Sequence, residues 1–449
     1  MKLSAYPRYK PSGVDWLGDV PEHWETKAIK WESPVLRGAS PRPIDDPIYF
    51  DDGGEYSWVR IADVTAAGRE LESTTQRLSQ LGSSLSVKLQ PNELFISIAG
   101  SVGKPCITKI KCCIHDGFVF FPRWKGDKAF LFYIFASGEP YRGLGKLGTQ
   151  LNLNTDTVGS IVIGLPPFPE QCVVTRFLNH KTEQIDTLVR KKEELIEKLQ
   201  EKRSALIART VTRGLPPDAA KAAGLNPHPK MKDSGIEWLG KIPADWGVIQ
   251  LRRFATRIQA GSTPPTAEER FYEDGTVEWF GPGSFGEGIT LTKPVKFIHQ
   301  SAIDEEAARL FASGAIMIVT IGATLGKVSS LAKPASCNQQ ITVLEFDPQK
   351  AASRFVTYQL KCFESKLRAI APSATLPILS QGDVGSVEIT YPPLSQQIAI
   401  ADYLDQATAR IDRMIAKVRA AIEKLTEYRS ALITAAVTGK IDVRKHSGV

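Results

Sequence analysis

The sequence has few residues that could build a metal site and no apolar segment long enough to cross a membrane. Its 449 residues include 6 cysteines and 6 histidines, and no two cysteines form a C-x-x-C pair. This spacing excludes the common zinc patterns and indicates reduced thiols, as in a cytoplasmic protein. The longest apolar run, residues 315–325, is shorter than the roughly 18–20 residues of a membrane span. The first ten residues also lack the apolar core of a signal peptide.

Motifs for nucleotide binding and catalysis are missing as well. The segments Gly322–Lys327 and Ser101–Pro105 have neither the spacing nor the Ser/Thr of a phosphate-binding loop. Leu165-Pro-Pro-Phe168 differs from the Asn/Asp-Pro-Pro-Tyr/Phe motif of amino-methyltransferases at the side chain that must accept hydrogen bonds from the target amine. No catalytic set occurs in both halves of the chain. We therefore predict a protein that is not an enzyme and that holds no metal or cofactor itself.

The charge balance is mildly basic. Lysine and arginine together number 56, against 49 aspartates and glutamates, which gives a net charge of +7 and a pI of about 8.9. This excess permits nucleic-acid binding without requiring it.

The sequence repeats itself over nearly its whole length. Lys10-Pro-Ser-Gly-Val-Asp-Trp-Leu-Gly-Asp-Val-Pro-Glu-His-Trp24 returns in the second half as Lys232-Asp-Ser-Gly-Ile-Glu-Trp-Leu-Gly-Lys-Ile-Pro-Ala-Asp-Trp246. A second pair of blocks, which open at Leu165 and Tyr391, is displaced by almost the same distance along the chain. Two nearly constant offsets predict a tandem duplication whose period is long enough for a domain and a helix. We expect pseudo-two-fold symmetry from it.

Each half ends in the heptad pattern of a long helix, residues 169–212 and 395–438. The predicted seam is Ile185, Leu188, Leu195, Leu199 and Leu206 in the first helix and Ile411, Met414, Val418, Leu425 and Leu432 in the second. A helix of about 40 residues spans roughly 60 Å, and an antiparallel pair would bury both seams. On the outer face, the exposed residues are expected to be Ile196, Ile207, Ile415, Ile422 and Ile433.

The remaining sequence predicts two globular units of the α+β class. Residues 1–168 and 231–394 read as short strands between glycine and proline turns, with a helix near 129–137 and another near 353–367. Residues 213–230 are predicted to be a linker and residues 439–449 a C-terminal tail. The expected architecture is therefore two tandem pseudo-symmetric domains separated by two long antiparallel coiled-coil helices.

A set of short motifs accompanies this repeat. They are the Lys-x-Ser-Gly-x-x-Trp-Leu-Gly blocks, the Gly-x-Ser/Thr-Pro turns at 38–41 and 261–264, the Pro-Pro-x-x-x-Gln segments at 166–171 and 392–397, and the ending at 436–440. Each motif is weak alone, but this order, found twice, is specific. Over nearly the whole chain the sequence resembles the DNA-specificity subunits of type I restriction–modification systems.

This resemblance implies that each globular unit is a target recognition domain, which reads one half of a split, asymmetric sequence in double-stranded DNA. The long helices would separate the domains and dock two methyltransferase (modification) subunits. Those subunits would supply S-adenosylmethionine chemistry, and separate restriction subunits would use ATP and Mg²⁺. The chain itself would be a non-catalytic subunit of the complex.

Candidate DNA-binding residues follow from side-chain chemistry. Lys104 and Lys327 each follow a glycine after a strand, where a lysine can reach a phosphate. Arginine and glutamine can form bidentate hydrogen bonds with guanine and adenine in the major groove. The further candidates are Arg37, Arg42, Arg142, Lys146, Gln150, Gln259 and Arg368. Each of them is also compatible with an ordinary exposed or structural residue, and Trp58 and Trp279 are predicted to be core aromatics.

Three other interpretations remain open at this point. A free-standing DNA-binding regulator would need no methyltransferase partner, and its gene would not lie beside a methyltransferase gene. An all-in-one restriction enzyme would need the catalytic motifs that are missing. A coiled-coil scaffold would not bind DNA, whereas a DNA-binding protein should bind in a strongly salt-dependent way.

Overall fold

The computed structural model describes residues 4–142, 144, 153–371 and 377–446. The chain divides into two compact units, which we call unit 1 (Met1–Glu193 with Arg419–Val449) and unit 2 (Glu194–Val418). Each unit contains one globular region and part of each long helix. Among the described residues, no helix is both long and apolar enough to span a membrane.

Unit 1 contains short strands and helices followed by the start of a long helix. The strands are β1 (Tyr9–Pro11), β2 (Asp19–Pro21), β3 (Glu25–Ala28), β4 (Leu36–Arg37), β5 (Tyr56–Val59), β6 (Glu70–Leu71), β7 (Gln76–Leu78), β8 (Val87–Leu89), β9 (Leu94–Ser97), β10 (Pro105–Thr108), β11 (Cys112–Ile114), β12 (Phe118–Phe120) and β13 (Val162–Leu165). The helices are α1 (Ile29–Glu32), α2 (Ile61–Ala67), α3 (Gln80–Ser84), α4 (Lys128–Ala136), α5 (Thr155–Ser160) and α6 (Phe168–Arg213), which continues into unit 2.

Unit 2 repeats this plan. Its strands are β14 (Met231–Asp233), β15 (Lys241–Pro243), β16 (Gly247–Gln250), β17 (Ala255–Ala260), β18 (Val277–Phe280), β19 (Thr290–Leu291), β20 (Lys296–Ile298), β21 (Ile316–Val319), β22 (Val328–Leu331), β23 (Ser336–Cys337), β24 (Ile341–Phe346) and β25 (Glu388–Tyr391). Its helices are α7 (Pro217–Ala222), α8 (Leu251–Phe254), α9 (Ser301–Asp304), α10 (Ser353–Cys362), α11 (Glu364–Ile370), α12 (Gln381–Ser386) and α13 (Leu394–Val437), which continues into unit 1.

The main sheets of the two units have the same topology. Unit 1 has a five-stranded sheet in the order β4-β12-β9-β10-β6, and unit 2 has β17-β24-β21-β22-β19. Each strand therefore has a counterpart at the same place in the other sheet. The predicted α+β class and tandem duplication are confirmed.

The central strands are apolar on both faces because both faces are covered. In β9, Leu94 and Ile96 belong to one buried cluster and Phe95 to another. In β21, Ile316 and Ile318 face one cluster, and Met317 and Val319 face another. Successive side chains of a strand point to opposite faces. The sheet is therefore a middle layer, with helix α4 or α10 on one face.

The long helices contribute directly to each core. Leu178 of α6 and Leu432 and Val437 of α13 belong to the largest core cluster of unit 1. In unit 2 the corresponding cluster includes Val211 of α6 and Leu404 of α13. Burial against a globular region stabilises helices of this length more than intrinsic helix propensity does.

Ion pairs show that the two helices run antiparallel within each unit. In unit 1, Arg429 of α13 donates from Nε and Nη2 to Asp186 of α6, at 2.8 and 3.2 Å. In unit 2, Arg203 of α6 donates from Nε to Asp412 of α13 at 3.0 Å. The residue numbers of the two pairs have the same sum, as an antiparallel register requires. The repeat that relates Leu165 to Tyr391 also relates Asp186 to Asp412 and Arg203 to Arg429.

The outer-face prediction for the helices was wrong for all five residues, since Ile196 and Ile422 are half-buried and the other three are buried. Ile207, Ile415 and Ile433 are only 4%, 7% and 1% exposed. Ile207 and Ile433 lie near the ends of the helices, where the globular regions cover faces that a two-helix pair would leave open. A heptad pattern does not reveal this additional packing.

Each long helix is followed within two residues by a glycine that lies beside a buried tryptophan. Gly214 has φ +85° and faces Trp246, and Gly439 has φ +70° and faces Pro21 and Trp24. A left-handed residue after the last helical turn is a common helix stop, and glycine adopts it without strain.

A buried carboxylate fixes the start of α6 in unit 1. Glu170 is 8% exposed and accepts hydrogen bonds from Tyr6 Oη (2.7 Å) and Trp24 Nε1 (3.0 Å). Its other oxygen lies 2.8 Å from His23 Nε2. Burial and the bond to Glu170 raise the pKa of Tyr6, so its hydroxyl stays protonated and donates. In unit 2, Gln396 Oε1 accepts from Trp246 Nε1 at 2.7 Å.

We expect Glu170→Ala to lower the free energy of unfolding of unit 1 by about 2–3 kcal/mol, because buried donors lose their acceptor. Glu170→Gln should cost less, since an amide accepts from the matching tryptophan in unit 2. Hydrogen exchange of unit 1 peptides in denaturant would measure both. The exposed Glu22→Ala is the control and should change stability by less than about 0.5 kcal/mol. If Glu170→Ala and Glu170→Gln lower the free energy of unfolding equally, Glu170 does not act as a buried hydrogen-bond acceptor in the proposed way.

Candidate nucleic-acid interface

Three turns meet at one edge of the five-stranded sheet of unit 1. This edge is formed by the ends of the strands and not by an outer strand. The register pairs Arg37 with Val119, Phe118 with Ser97, and Pro105 with Ile96. Strands β4 and β9 therefore end where β12 and β10 begin. The turns at 38–42, 98–104 and 115–117 all lie at this edge, which we call edge 1.

Unit 2 has the same edge, which we call edge 2. The register pairs Ala260 with Thr342, Val319 with Ile341, and Ile318 with Val328. The turns at 261–264, 320–327 and 338–340 therefore lie together. The candidates Arg37, Arg42 and Lys104 lie at edge 1, and Gln259 and Lys327 lie at edge 2.

Asp116 organises the arginines of edge 1. Its main-chain oxygen accepts from Arg37 Nε, and its Oδ2 accepts from Arg42 Nη2 at 2.9 Å. Its Oδ1 accepts from Ser40 Oγ at 3.0 Å. The Arg42 side chain is 74% exposed. Both arginines are thus directed by one aspartate while most of the Arg42 side chain faces solvent.

The charge states at edge 1 follow from burial and these partners. Partial burial opposes ionisation of Asp116, but the Ser40 hydrogen bond and the two arginines outweigh it and hold its pKa below the usual value. Burial lowers the pKa of His115, against the attraction of Asp116. His115 Nδ1 accepts from Gly117 N at 2.8 Å, which places the proton of the neutral ring on Nε2.

Tyr141 joins the segment that carries Arg142 to the turn that carries Lys104. Tyr141 Oη donates to Gly103 O at 2.9 Å, and its ring leaves no room for a side chain at Gly103. Lys104 Nζ donates to Thr65 O at 2.9 Å. Arg142 pairs with Glu139 at 2.9 Å and is 75% exposed. The structure therefore holds the segment with Arg142 against the glycine–lysine turn.

The same arrangement occurs at edge 2. The main chain at Glu364 and Arg368 lies close against Gly326. Arg368 Nε donates to Leu325 O at 3.3 Å, and Lys327 Nζ donates to Phe285 O at 3.3 Å. Arg368, on α11, therefore contacts the turn that carries Lys327.

Gln259 is half-buried on β17, and its Oε1 accepts from Arg257 Nε at 2.6 Å. The structure adds Arg309, which sequence reasoning missed: its guanidinium donates to Ala260 O (2.9 Å) and Gly261 O (3.3 Å). The sequence repeat does not point to Arg309, because the offset that aligns Gly38 with Gly261 aligns Arg309 with Ser86.

A polar run at edge 2 was also missed. Residues 338–340 are Asn-Gln-Gln and precede β24 just as residues 115–117 precede β12. The two runs are separated by the same offset as the two Gly-x-Ser/Thr-Pro turns. This shared offset was the available signal.

Lys146 and Gln150 lie outside the described residues. Trp58 and Trp279 are 2% and 7% exposed, so their prediction as core aromatics is confirmed. For the predicted helix seam, Ile185, Ile411 and Leu432 are buried, and Leu199, Leu206, Val418 and Leu425 are half-buried. Leu188, Leu195 and Met414 are 43%, 44% and 39% exposed.

Comparison with known proteins identifies the class to which this architecture belongs. A family model for the type I restriction modification DNA specificity domain matches residues 21–198 and again residues 243–424. These matches cover most of the chain and one lies in each half. The chain therefore belongs to the DNA-specificity subunits of type I restriction–modification systems.

Individual relatives match nearly the whole length of the chain. A Methanocaldococcus jannaschii protein described as a type I restriction enzyme MjaX specificity subunit is 22% identical, over 95% of this chain and 96% of its own. A solved chain from a type I R-M system has a TM-score of 0.71 at 17% identity, covering 94% of this chain and 99% of its own. The HsdS subunit from Thermoanaerobacter tengcongensis has a TM-score of 0.52, also at 17% identity, covering 94% and 98%.

Proposed function

We propose that this specificity subunit reads a split, asymmetric DNA sequence, with one half-site recognised by each unit. The observation that carries the proposal is the repeated sheet edge. Both edges present turns with cationic and amide side chains, and the two sets of side chains differ. Such groups contact phosphates and base edges in the major groove. Two different edges would read two different half-sites.

The long helices are the proposed docking surface for two modification subunits. Leu188, Leu195 and Met414 are each more than a third exposed although they belong to an apolar pattern. Exposed apolar side chains on a common helical pattern suit a protein partner. We propose that these partners supply S-adenosylmethionine chemistry, that restriction subunits use ATP and Mg²⁺, and that this chain is non-catalytic. Membership in the family of specificity subunits argues against the alternative of a free-standing DNA-binding regulator.

Methylome sequencing of cells that express this chain with its modification subunit tests the proposal. We expect a new adenine-methylated motif in two parts with a fixed gap. Cells with the modification subunit alone are the control and should lack this motif. If both proteins fold and co-purify but no two-part motif is methylated, the proposed function is wrong.

The glycine-turn lysines are expected to contact phosphates. Lys327→Gln should weaken binding about equally on specific and unrelated duplexes, and should reduce the slope of log affinity against log salt by about 1. Titration of the assembled complex with labelled DNA at several salt concentrations would measure the slope. Lys333→Gln is the matched control, because Lys333 lies beyond the other end of β22 and pairs with Glu278. A sequence-dependent loss for Lys327→Gln would instead indicate base reading.

A further inference from the structure

One hydrogen bond is repeated at the two edges with different chemistry. At edge 1, Ser40 Oγ donates to Asp116 Oδ1 at 3.0 Å. At edge 2, Thr263 Oγ1 donates to Gln339 Oε1 at 2.5 Å. One and the same offset relates Ser40 to Thr263 and Asp116 to Gln339. In both units the hydroxyl of the Gly-x-Ser/Thr-Pro turn thus holds the side chain in the middle of the facing turn.

At edge 1 this side chain is a carboxylate, and it recruits a guanidinium. Asp116 is held ionised and binds Arg42 Nη2 at 2.9 Å, which fixes the side chain while leaving it 74% exposed. An arginine held by a carboxylate loses less conformational freedom when it binds a base. A guanidinium positioned in this way suits the O6 and N7 acceptors of guanine.

At edge 2 the equivalent side chain is an amide and it is exposed. Its neighbours bond to each other: Asn338 Nδ2 donates to Gln340 Oε1 at 2.8 Å, and Gln340 N donates to Asn338 Oδ1 at 3.1 Å. Gln339 bonds through Oε1 to the turn hydroxyl, and this oxygen has a second lone pair. An oriented, exposed amide offers the donor and acceptor that adenine N7 and N6 require.

We propose that Gln339 reads an adenine in the half-site of unit 2, and that Arg42, positioned by Asp116, reads a guanine in the half-site of unit 1. The proposal rests on the proposed function and adds which residues determine specificity and which bases they select. Asp116 is a positioning residue in this scheme. The difference between carboxylate and amide at one repeated position makes the target asymmetric.

The test uses the complete complex of this chain with its modification subunits. Duplexes that carry the wild-type two-part motif are altered one base pair at a time, and the methylation rate is measured on each. Gln339→Ala should reduce the preference for adenine at one position of one half-site by about ten- to a hundred-fold. Arg42→Ala should do the same for guanine at one position of the other half-site. The remaining positions should keep their preferences.

Matched controls lie beyond the opposite ends of β24 and of β12, the strand that pairs with β4. Gln349 is exposed and follows β24, whereas Gln339 precedes it, and Arg123 is exposed and follows β12. Gln349→Ala and Arg123→Ala should leave every position unchanged. Gln339→Glu keeps an acceptor for Thr263 but removes the amide donors, so it should also lose the adenine preference. Thermal unfolding of each variant checks its fold.

The outcomes separate the two proposals. If the wild-type complex methylates a two-part motif and neither Gln339→Ala nor Arg42→Ala changes preference at any single position, this inference is wrong and the proposed function stands. This inference is also wrong if a single substitution reduces the base preference in both half-sites. If the wild-type complex recognises no two-part motif, both proposals fail.

Discussion

Exchange of residues 231–394 for the equivalent segment of a relative with another target is expected to change one half-site and to leave the other unchanged. The exchanged segment contains all the strands of unit 2 and all of edge 2, and none of edge 1. The methylation rate on the original motif should fall by about a thousand-fold or more, as expected between specific and non-specific DNA. A new motif should appear that keeps the old half-site of unit 1.

Methylome sequencing of cells with the chimaera would show the new motif directly. The reciprocal exchange of residues 1–168 is the control and should change the other half-site. A change in both halves from a single exchange would contradict two independent readers. It would mean that the units do not select their half-sites separately.

The structure adds a condition to this experiment. The core of unit 2 includes Ile207 and Val211 of α6 and Ile400 and Leu404 of α13, which the exchanged segment lacks. Thr390 Oγ1 also donates to Val211 O at 2.9 Å. Mismatched side chains at such contacts cost about 1–3 kcal/mol. The donor relative should therefore have the same residues at these four helix positions, or its own residues there should be transferred with the exchanged segment. A chimaera that fails to fold is then not mistaken for one that contradicts the prediction.

Lengthening the two long helices is expected to widen the gap between the half-sites without changing either half-site. Four extra residues near Gln200 add roughly 6 Å of helix. Because base pairs are stacked about 3.4 Å apart, we expect one or two additional unspecified base pairs. The recognised bases should remain the same, since neither edge is altered.

The ion pairs show how to place the insertion. An insertion in α6 alone shifts Arg203 away from Asp412, or Asp186 away from Arg429. A second insertion of equal length in α13, between Asp412 and Arg429, preserves both pairs. Methylome sequencing of the paired variant measures the gap. The control is a paired substitution of four exposed residues at the same places, which should leave the gap unchanged. New bases within a half-site would indicate that the helices take part in reading.

The repeat made much of the architecture predictable. The buried strand β21 is a continuous apolar run, and β9 is apolar except for Ser97. The heptads predicted α6 and α13 to within two residues at each end. A strand within a sheet and a helix against a core both leave a periodic pattern.

Contacts between distant segments were not predictable in the same way. Nothing in the local sequence shows that Ile207 and Ile433 pack against globular regions, because the pattern of a helix does not identify its second neighbour. Arg309 reaches the turn at Gly261, but the position aligned with it in the first half is Ser86, so the repeat does not reveal it. Asn338, Gln339 and Gln340 could have been found, since the offset of the turns applies to them as well.

The division of the chain has a consequence for synthesis on the ribosome. Unit 2 is one continuous segment, Glu194–Val418, whereas unit 1 is closed by Arg419–Val449. Leu432, Ile433 and Val437 of α13 are part of the unit 1 core. The globular region of unit 1 is synthesised first, but its core is complete only after the last turns of α13 have left the ribosome. The second half of the protein can complete its core before the first. We therefore expect a premature stop codon near residue 418 to disrupt the core of unit 1 more than the core of unit 2.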